Sequence, residues 1–226
     1  MGKESFYGER DGYGGFVQLH SYGEADFALL KKHADTKRVS LWEIPHLDNL
    51  DFLSVCSHLE EVSIYGWKID DFSALAKLPN LKFLFLNGGA SSRLENFDFI
   101  GNILSLEQLH IIRYPTPTYF PNLQNLVNLI SVEIATCKRL SDLSNILRIP
   151  NLQGFGIHST PHEVEDLEFI AAKPGMKVMN GQFSSKKKND AFDAMLKKYG
   201  LHHGHIIQNR SISCSIGCPI CKQNGK

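Results

Sequence analysis

One arrangement of apolar residues returns along most of this chain at a nearly constant interval, and it restricts the fold to a stack of similar units. From Leu59 to Leu81 the sequence reads LEEVSIYGWKIDDFSALAKLPNL. Its first half has the form L-x-x-L-x-L, whose last two apolar residues share one side of a strand because side chains alternate with a period of two. The form recurs at Leu59, Val62, Ile64; Leu81, Leu84, Leu86; Leu106, Leu109, Ile111; Leu129, Val132, Ile134; and Leu152, Phe155, Ile157. A degraded copy at Thr36, Val39 and Leu41 opens the series, and Met176 and Met179 close it. Successive starts differ by 23, 22, 25, 23, 23 and 24 residues, an interval that stacked units keep and unrelated core strands do not.

The second half of each unit starts with Asp or Asn and continues with apolar residues in steps of three. Asn49 precedes Leu50, Leu53 and Cys56; Asp71 precedes Phe72, Leu75 and Leu78; Asn96 precedes Phe97, Ile100 and Ile103. Asp142 precedes Leu143, Ile146 and Ile149, and Asp166 precedes Leu167 and Ile170. The unit from Leu106 keeps Phe120, Leu123 and Leu126 but lacks the capping residue. An Asp or Asn oxygen satisfies an orphaned amide at a helix start, and a step of three suits a short 3-10 or α turn. Pro79 and Pro150 stop two of these turns before the next strand. Each unit therefore reads as strand, turn and short helix.

This pattern resembles the leucine-rich repeat family, closest to its short repeats of about 22 residues, over residues 36–183. The resemblance implies an α/β solenoid with a parallel sheet on the concave face, short helices or 3-10 turns on the convex face, and helical caps. The family's repeat usually carries an Asn or Cys three residues after the last strand leucine. Here those positions hold Ile44, Trp67, Gly89, Tyr114, Cys137 and Thr160, so only Cys137 fits and the internal polar ladder is expected to be largely missing.

Residues 1–35 read as an N-terminal cap, with a Gly-rich turn in GERDGYGG, a strand from Phe16 to Leu19, and a helix over 27–34 capped by Asp26. Residues 184–201 read as a C-terminal capping helix, from a cap at Asn189-Asp190 to a stop at Gly200, with Phe192, Met195, Leu196 and Tyr199 on one face. Residues 202–226 form a His/Cys-rich tail. A solenoid needs such ends because its terminal units lack a neighbour on one side.

Lys+Arg and Asp+Glu are equal at 24 each, so no overall field draws nucleic acid or an anionic membrane. No run reaches the roughly 18 apolar residues of a membrane span, and MGKESFYGERDG lacks the apolar centre of a signal peptide. The expectation is a cytoplasmic monomer. Five cysteines, two of them isolated within the repeats, do not form a secreted disulfide framework.

Residues between the inward positions of each strand face the concave surface in two columns. One holds Ser40, Ser63, Phe85, His110, Glu133 and Gly156; the other holds Trp42, Tyr65, Asn87, Ile112, Ala135 and His158. Trp42, Tyr65 and Phe85 gather on three successive strands beside Glu43, Glu60 and Glu61, and aromatic residues rimmed by charge are what protein interfaces use. The candidate partner-binding residues are therefore Trp42, Glu43, Glu60, Glu61, Tyr65, Phe85, His110, Glu133 and His158. The structural alternative is that the N-terminal segment folds over the aromatic residues. Glu107, His110 and Glu133 make no acid–base set on an open face where nothing excludes water or shifts a pKa, and no phosphate-binding loop is present.

The tail is the one place with clustered metal-ligand residues. Cys214, Cys218 and Cys221 stand as C-x3-C-x2-C, and with His205 they would satisfy a tetrahedral zinc ion; free thiols are the plainer reading. The same spacing resembles the iron–sulfur motif of radical S-adenosylmethionine enzymes, but only five residues follow Cys221 where that family has its barrel. The expected function is non-catalytic capture of a protein on the concave face, with an inhibitor or immunity-type role suggested by analogy. A metal or redox protein centred on the tail, and a glycan- or peptide-binding surface, are the alternatives.

Overall fold

The computed structural model describes residues 4–206 apart from 11–13, 21, 45, 67 and 90–91. The strands are β1 (Phe6–Arg10), β2 (Gly14–Leu19), β3 (Arg38–Trp42), β4 (Glu61–Tyr65), β5 (Phe83–Asn87), β6 (Gln108–Ile112), β7 (Ser131–Ala135), β8 (Gly154–His158), β9 (Val178–Gln182) and β10 (His202–His203). They form one sheet in sequence order, antiparallel between β1 and β2 and parallel from β2 onward. The register aligns Val39, Val62, Leu84, Leu109, Val132, Phe155 and Met179 across seven strands, so the apolar positions counted in sequence stack directly. This is a leucine-rich repeat solenoid. Its sheet lines the concave face.

The opposite side carries 3-10 helices at Asp51–Val55, Ser73–Lys77, Asp98–Asn102 and Ser144–Arg148, followed by a mixed turn at Glu165–Leu167 and helix α2 (Glu168–Ala171). Asn49, Asp71, Asn96 and Asp142 each accept the amide two residues on, at 2.7–3.1 Å, which starts the turn. The unit from Leu106 also has such a residue, contrary to expectation: Asn122 accepts from the Gln124 amide at 3.2 Å, one turn late, after Pro121. Asp166 instead reaches back to the Glu163 amide. The core between sheet and helices is continuous, with strand and helix apolar positions buried from Val17 to Leu196.

At the ladder position Ile44 and Tyr114 are buried by packing, and Cys137, the one residue that fits the family pattern, donates its thiol to Ala135 O at 3.5 Å and Ile111 O at 3.9 Å, while Trp67 lies outside the described residues. A polar ladder exists nonetheless at another position. Asn80, Asn128 and Asn151, each directly before a strand leucine, donate to Ser57 O, Leu104 O and Val127 O of the preceding unit, and Ser105 donates likewise to Leu81 O. The strands end in a left-handed residue in four units, Glu43, Arg113, Thr136 and Ser159, at φ 51–59°.

At the N-terminal end the alternative, a segment folded over the aromatic residues, is met among the described residues only at the edge, where the His20 ring stacks 6.4 Å from that of Trp42. The β1–β2 hairpin extends the sheet instead, pairing β2 with β3, and helix α1 (Glu24–Lys32) packs outside it. The helix starts earlier than its sequence suggested because Gly23 is the capping position, and buried Asp26 reaches back to the Tyr22 amide at 2.6 Å. At the other end α3 (Lys186–Lys198) starts at Ser185, whose hydroxyl accepts from the Lys188 amide. Asn189, the expected cap, pairs with both backbone groups of Phe183. Gly200 takes the left-handed turn at φ 67° and returns the chain to β10.

Candidate functional site

The concave columns fall as the alternation requires. Ser40, Ser63, Phe85, His110, Glu133 and Gly156 are lateral neighbours, flanked by Gln18 and Asn180. Trp42, Tyr65, Asn87, Ile112, Ala135, His158 and Gln182 form the second column. The same alternation carried two residues back gives a third column, with Arg38, Glu61, Phe83, Gln108, Ser131 and Gly154, which the repeat pattern had hidden between its apolar positions.

In the N-terminal half the second and first columns make an aromatic ladder. Trp42 and Tyr65 stack with ring centroids 3.8 Å apart and planes 13° apart; Tyr65 meets Phe85 at 5.1 Å and Phe85 meets His110 at 6.2 Å. Trp42, Tyr65 and Phe85 are all half-buried, and burial pushes the Tyr65 hydroxyl up in pKa. The predicted acidic residues differ in placement. Glu61 shares the face of Tyr65 and stands beside Arg38, whereas Glu60 precedes the strand and pairs with Lys37 at 2.9 Å and Lys82 at 3.9 Å. Glu43 is exposed at the left-handed turn after β3.

The C-terminal half is built around Glu133. Gly156 beside it has no side chain, and a Cβ there would lie 3.1 Å from Glu133 Cγ, so the carboxylate leans over β8. His110 Nε2 and His158 Nε2 each stand 3.9 Å from one of its oxygens, and His205 Nδ1 stands 3.2 Å from Oε2. The Asn180 amide nitrogen bridges His158 Nε2 at 3.1 Å and His205 Nε2 at 2.5 Å. An amide that donates to both Nε2 atoms leaves their hydrogens on Nδ1, and in His205 that is the atom facing Glu133.

His205 is there because the chain turns back after β10. Gly204 N donates to Met179 O, and the next residues pass over the sheet until Ile206 O accepts from Gln108 Nε2 at 3.1 Å. Ile206 sits on Gly154, where a Cβ would come within 3.0 Å of its side chain. Water is thereby excluded from Gln108 and Ser131, both under a tenth exposed. This corrects the expectation of an open face without pKa shifts. Burial pushes His110 and His158 down. Burial alone would raise the Glu133 carboxyl, but the His205 hydrogen bond and the surrounding imidazoles outweigh it and hold the group at about 2.

Cys214, Cys218 and Cys221 lie outside the described residues. Both ring nitrogens of His205 are engaged, so a metal ion would have to displace Glu133 or Asn180 to use it. Among the described residues one group has three potential ligand atoms within 4.8 Å of one another, His46, Asp48 and Asp70, and all three are exposed. An open cleft of about 400 Å³ at the C-terminal end is lined by Thr160, His162, Glu163 and Lys188. His162 there bonds Thr160 and the Ser141 carbonyl, which gives it no acidic partner for proton transfer. Sequence reasoning missed Asn180 and Gln108; both follow from extending the columns into the degraded last unit and two residues back.

The fold has solved neighbours. An internalin (inlF) from Listeria monocytogenes is 15% identical with a TM-score of 0.45, over 84% of this chain and 61% of that one. Internalin C2 (inlC2) from the same organism is 16% identical with a TM-score of 0.39, over 74% of this chain and 79% of that one. This chain thus spans less than two thirds of the inlF chain's length. No family model matches the chain, and no curated protein does. Among the described residues no helix is long and apolar enough to cross a membrane.

Proposed function

We propose that the chain binds a protein partner on the N-terminal half of its concave face, without catalysis. The observation that carries this reading is the half-exposed stack of Trp42 on Tyr65, continued by Phe85, on a sheet face that the N-terminal hairpin extends and that the described residues flank only with His20, stacked 6.4 Å from Trp42. Keeping three large rings partly in water costs apolar exposure, and rigid aromatic residues recover it when a partner buries them. Glu61 and Arg38 at the edge of the ladder supply charges of both signs to orient that partner.

The test is affinity capture from an extract of the native source, with the full chain, the double variant Trp42→Ala/Tyr65→Ala, and the convex variant Leu104→Ala/Val127→Ala. Leu104 and Val127 are the most exposed large apolar residues of the outer side, at 61% and 55%. The expected result is a protein retained by the full chain and the convex variant and lost, by 100-fold or more, by the concave variant. Equal capture by all three overturns the reading.

A further inference from the structure

We propose that residues 203–206 are an autoinhibitory strap. The strap lifts from the C-terminal half of the concave face while the repeats stay folded, and the seat it leaves takes an extended segment of the partner. That the seat serves a partner rests on the binding role proposed above.

Three observations carry it. The first is attachment. From β3 to β9 each strand pairs with the next over five residues, whereas β10 pairs with β9 over two, and the amides of His202 and Gly204 donate to Lys177 O and Met179 O. Beyond Gly204 side chains seat the strap: Glu133 and Asn180 hold His205, and Gln108 donates to Ile206 O. A segment held by side chains at the end of a sheet opens locally, at a cost well below that of unfolding.

The second is what the strap meets. Gln108, Glu133 and Asn180 are polar and can be hydrated again when it leaves, while Leu109, Val132 and Phe155 stay covered on the other side of the sheet. The third is the seat itself. Gly154 leaves room for a branched aliphatic side chain such as Ile206, Glu133 takes a donor such as the His205 ring, and Gln108 meets a backbone carbonyl. An extended peptide supplies all three. The seat also borders the aromatic ladder, because the His110 ring lies 6.2 Å from that of Phe85, so one partner reaches both.

Lifting is tested first, in the full chain and without a partner. Ser131, 7% exposed, lies between Gln108 and Gly154, the two residues that Ile206 meets, so Ser131→Cys puts a thiol under the strap. N-ethylmaleimide alkylates thiolates, and peptide mass mapping separates position 131 from the chain's own five cysteines. Cys137, fully buried in the core, reports unfolding. The expected labelling at position 131 has a rate that stays flat as urea rises short of the unfolding transition, while labelling of Cys137 climbs. His205→Ala, or Glu133→Gln from the sheet side, is expected to raise the rate at 131 about tenfold, the equilibrium weight of one charge-assisted hydrogen bond. A rate at 131 that climbs in step with Cys137, or that neither variant changes, overturns the proposal. Capture is tested second. The protein retained through Trp42 is expected to bind His205→Ala about tenfold more tightly, because affinity scales with the uncovered fraction, and equal affinity overturns the autoinhibitory role. Capture that ignores Trp42 removes the binding role alone and leaves the lifting measured at position 131 intact.

Discussion

The two halves of the concave face use the same backbone and the same columns, yet they present opposite chemistry. On β3–β5 the outward residues are rings stacked on one another with no described segment across them. On β6–β9 they are imidazoles and carboxamides gathered on one carboxylate and crossed by the chain's own tail. A solenoid makes this division easy, because a unit contacts only its neighbours and its outward residues are free of the core. What separates the halves is residue size. Phe85 and Tyr65 fill the surface where they stand, whereas Gly154 and Gly156 leave it low enough for another strand of chain to lie on.

The contrast breaks most sharply at Glu133. Glu133→Gln removes the charge that His205 donates to, and a charge-assisted bond in a half-buried site contributes about 2 kcal/mol. Urea unfolding at pH 7 is expected to show a loss of that order, and hydrogen exchange at Gly204, whose amide bonds Met179 O, is expected to accelerate. Tyr65→Ala is the counterpart. It is expected to abolish partner capture while leaving exchange at Gly204 unchanged; acceleration there would mean that the halves are energetically one.

On the concave face, acid is expected to act on the C-terminal half. His110 and His158 bind protons less readily folded than unfolded, so their contribution is present above pH 6.5 and is lost as the pH falls below that value. Glu133 adds a second loss as the pH falls from 4.5 toward 2. Unfolding midpoints between pH 8 and 3 are expected to decline in these two stages. Asp71, Asp142 and Glu168, whose carboxyls hydrogen bonds also hold down, share the lower stage, so Glu133→Gln is expected to shrink it without removing it, and Tyr65→Ala to displace the whole curve without changing its shape. A Glu133→Gln curve whose lower stage keeps its full size would separate the acid response from this cluster.

The sequence made the coil and the aromatic half legible because both depend on spacing. A strand's period of two and an interval of 22 to 25 residues locate Trp42, Tyr65 and Phe85 on one surface without any knowledge of contacts. The Glu133 cluster depends on a pairing across 72 residues, His205 with Glu133, and no local pattern encodes which part of a tail returns to a sheet. Its nearest sequence signal was the pair of glycines at 154 and 156, small residues where every other strand carries at least one larger outward side chain. The polar ladder was legible in principle. P-N-L, V-N-L and P-N-L before three strands mark Asn80, Asn128 and Asn151, but the family resemblance directed attention to a position on the other side of the strand. The left-handed residues at the strand ends were not legible, since Arg113 and Thr136 have no intrinsic preference for φ near 58°.

Where the two halves join, Gly88 and Tyr114 lock together. A Cβ on Gly88 would lie 2.5 Å from the Tyr114 ring, which is fully buried and edge-on to Phe97, so the ring has nowhere to withdraw. Gly88→Ala is expected to cost about 2 kcal/mol through that overlap, measured by urea unfolding, and an unchanged midpoint would show that the join has slack.

Tyr114→Phe is the smaller and more pointed change at the same place. The Tyr114 hydroxyl is buried without a hydrogen-bond partner, and burial pushes its pKa far up, so the group lost its hydration on folding and gained nothing for it. Removing one oxygen keeps the ring against Gly88 and Phe97. The variant is therefore expected to match or exceed the parent by up to about 1 kcal/mol, with partner capture and Gly204 exchange unaltered. A loss of stability would mean that the hydroxyl is satisfied in solution, by an ordered water between Phe97 and Cys137, and that the join between the halves is wet where the packing makes it dry.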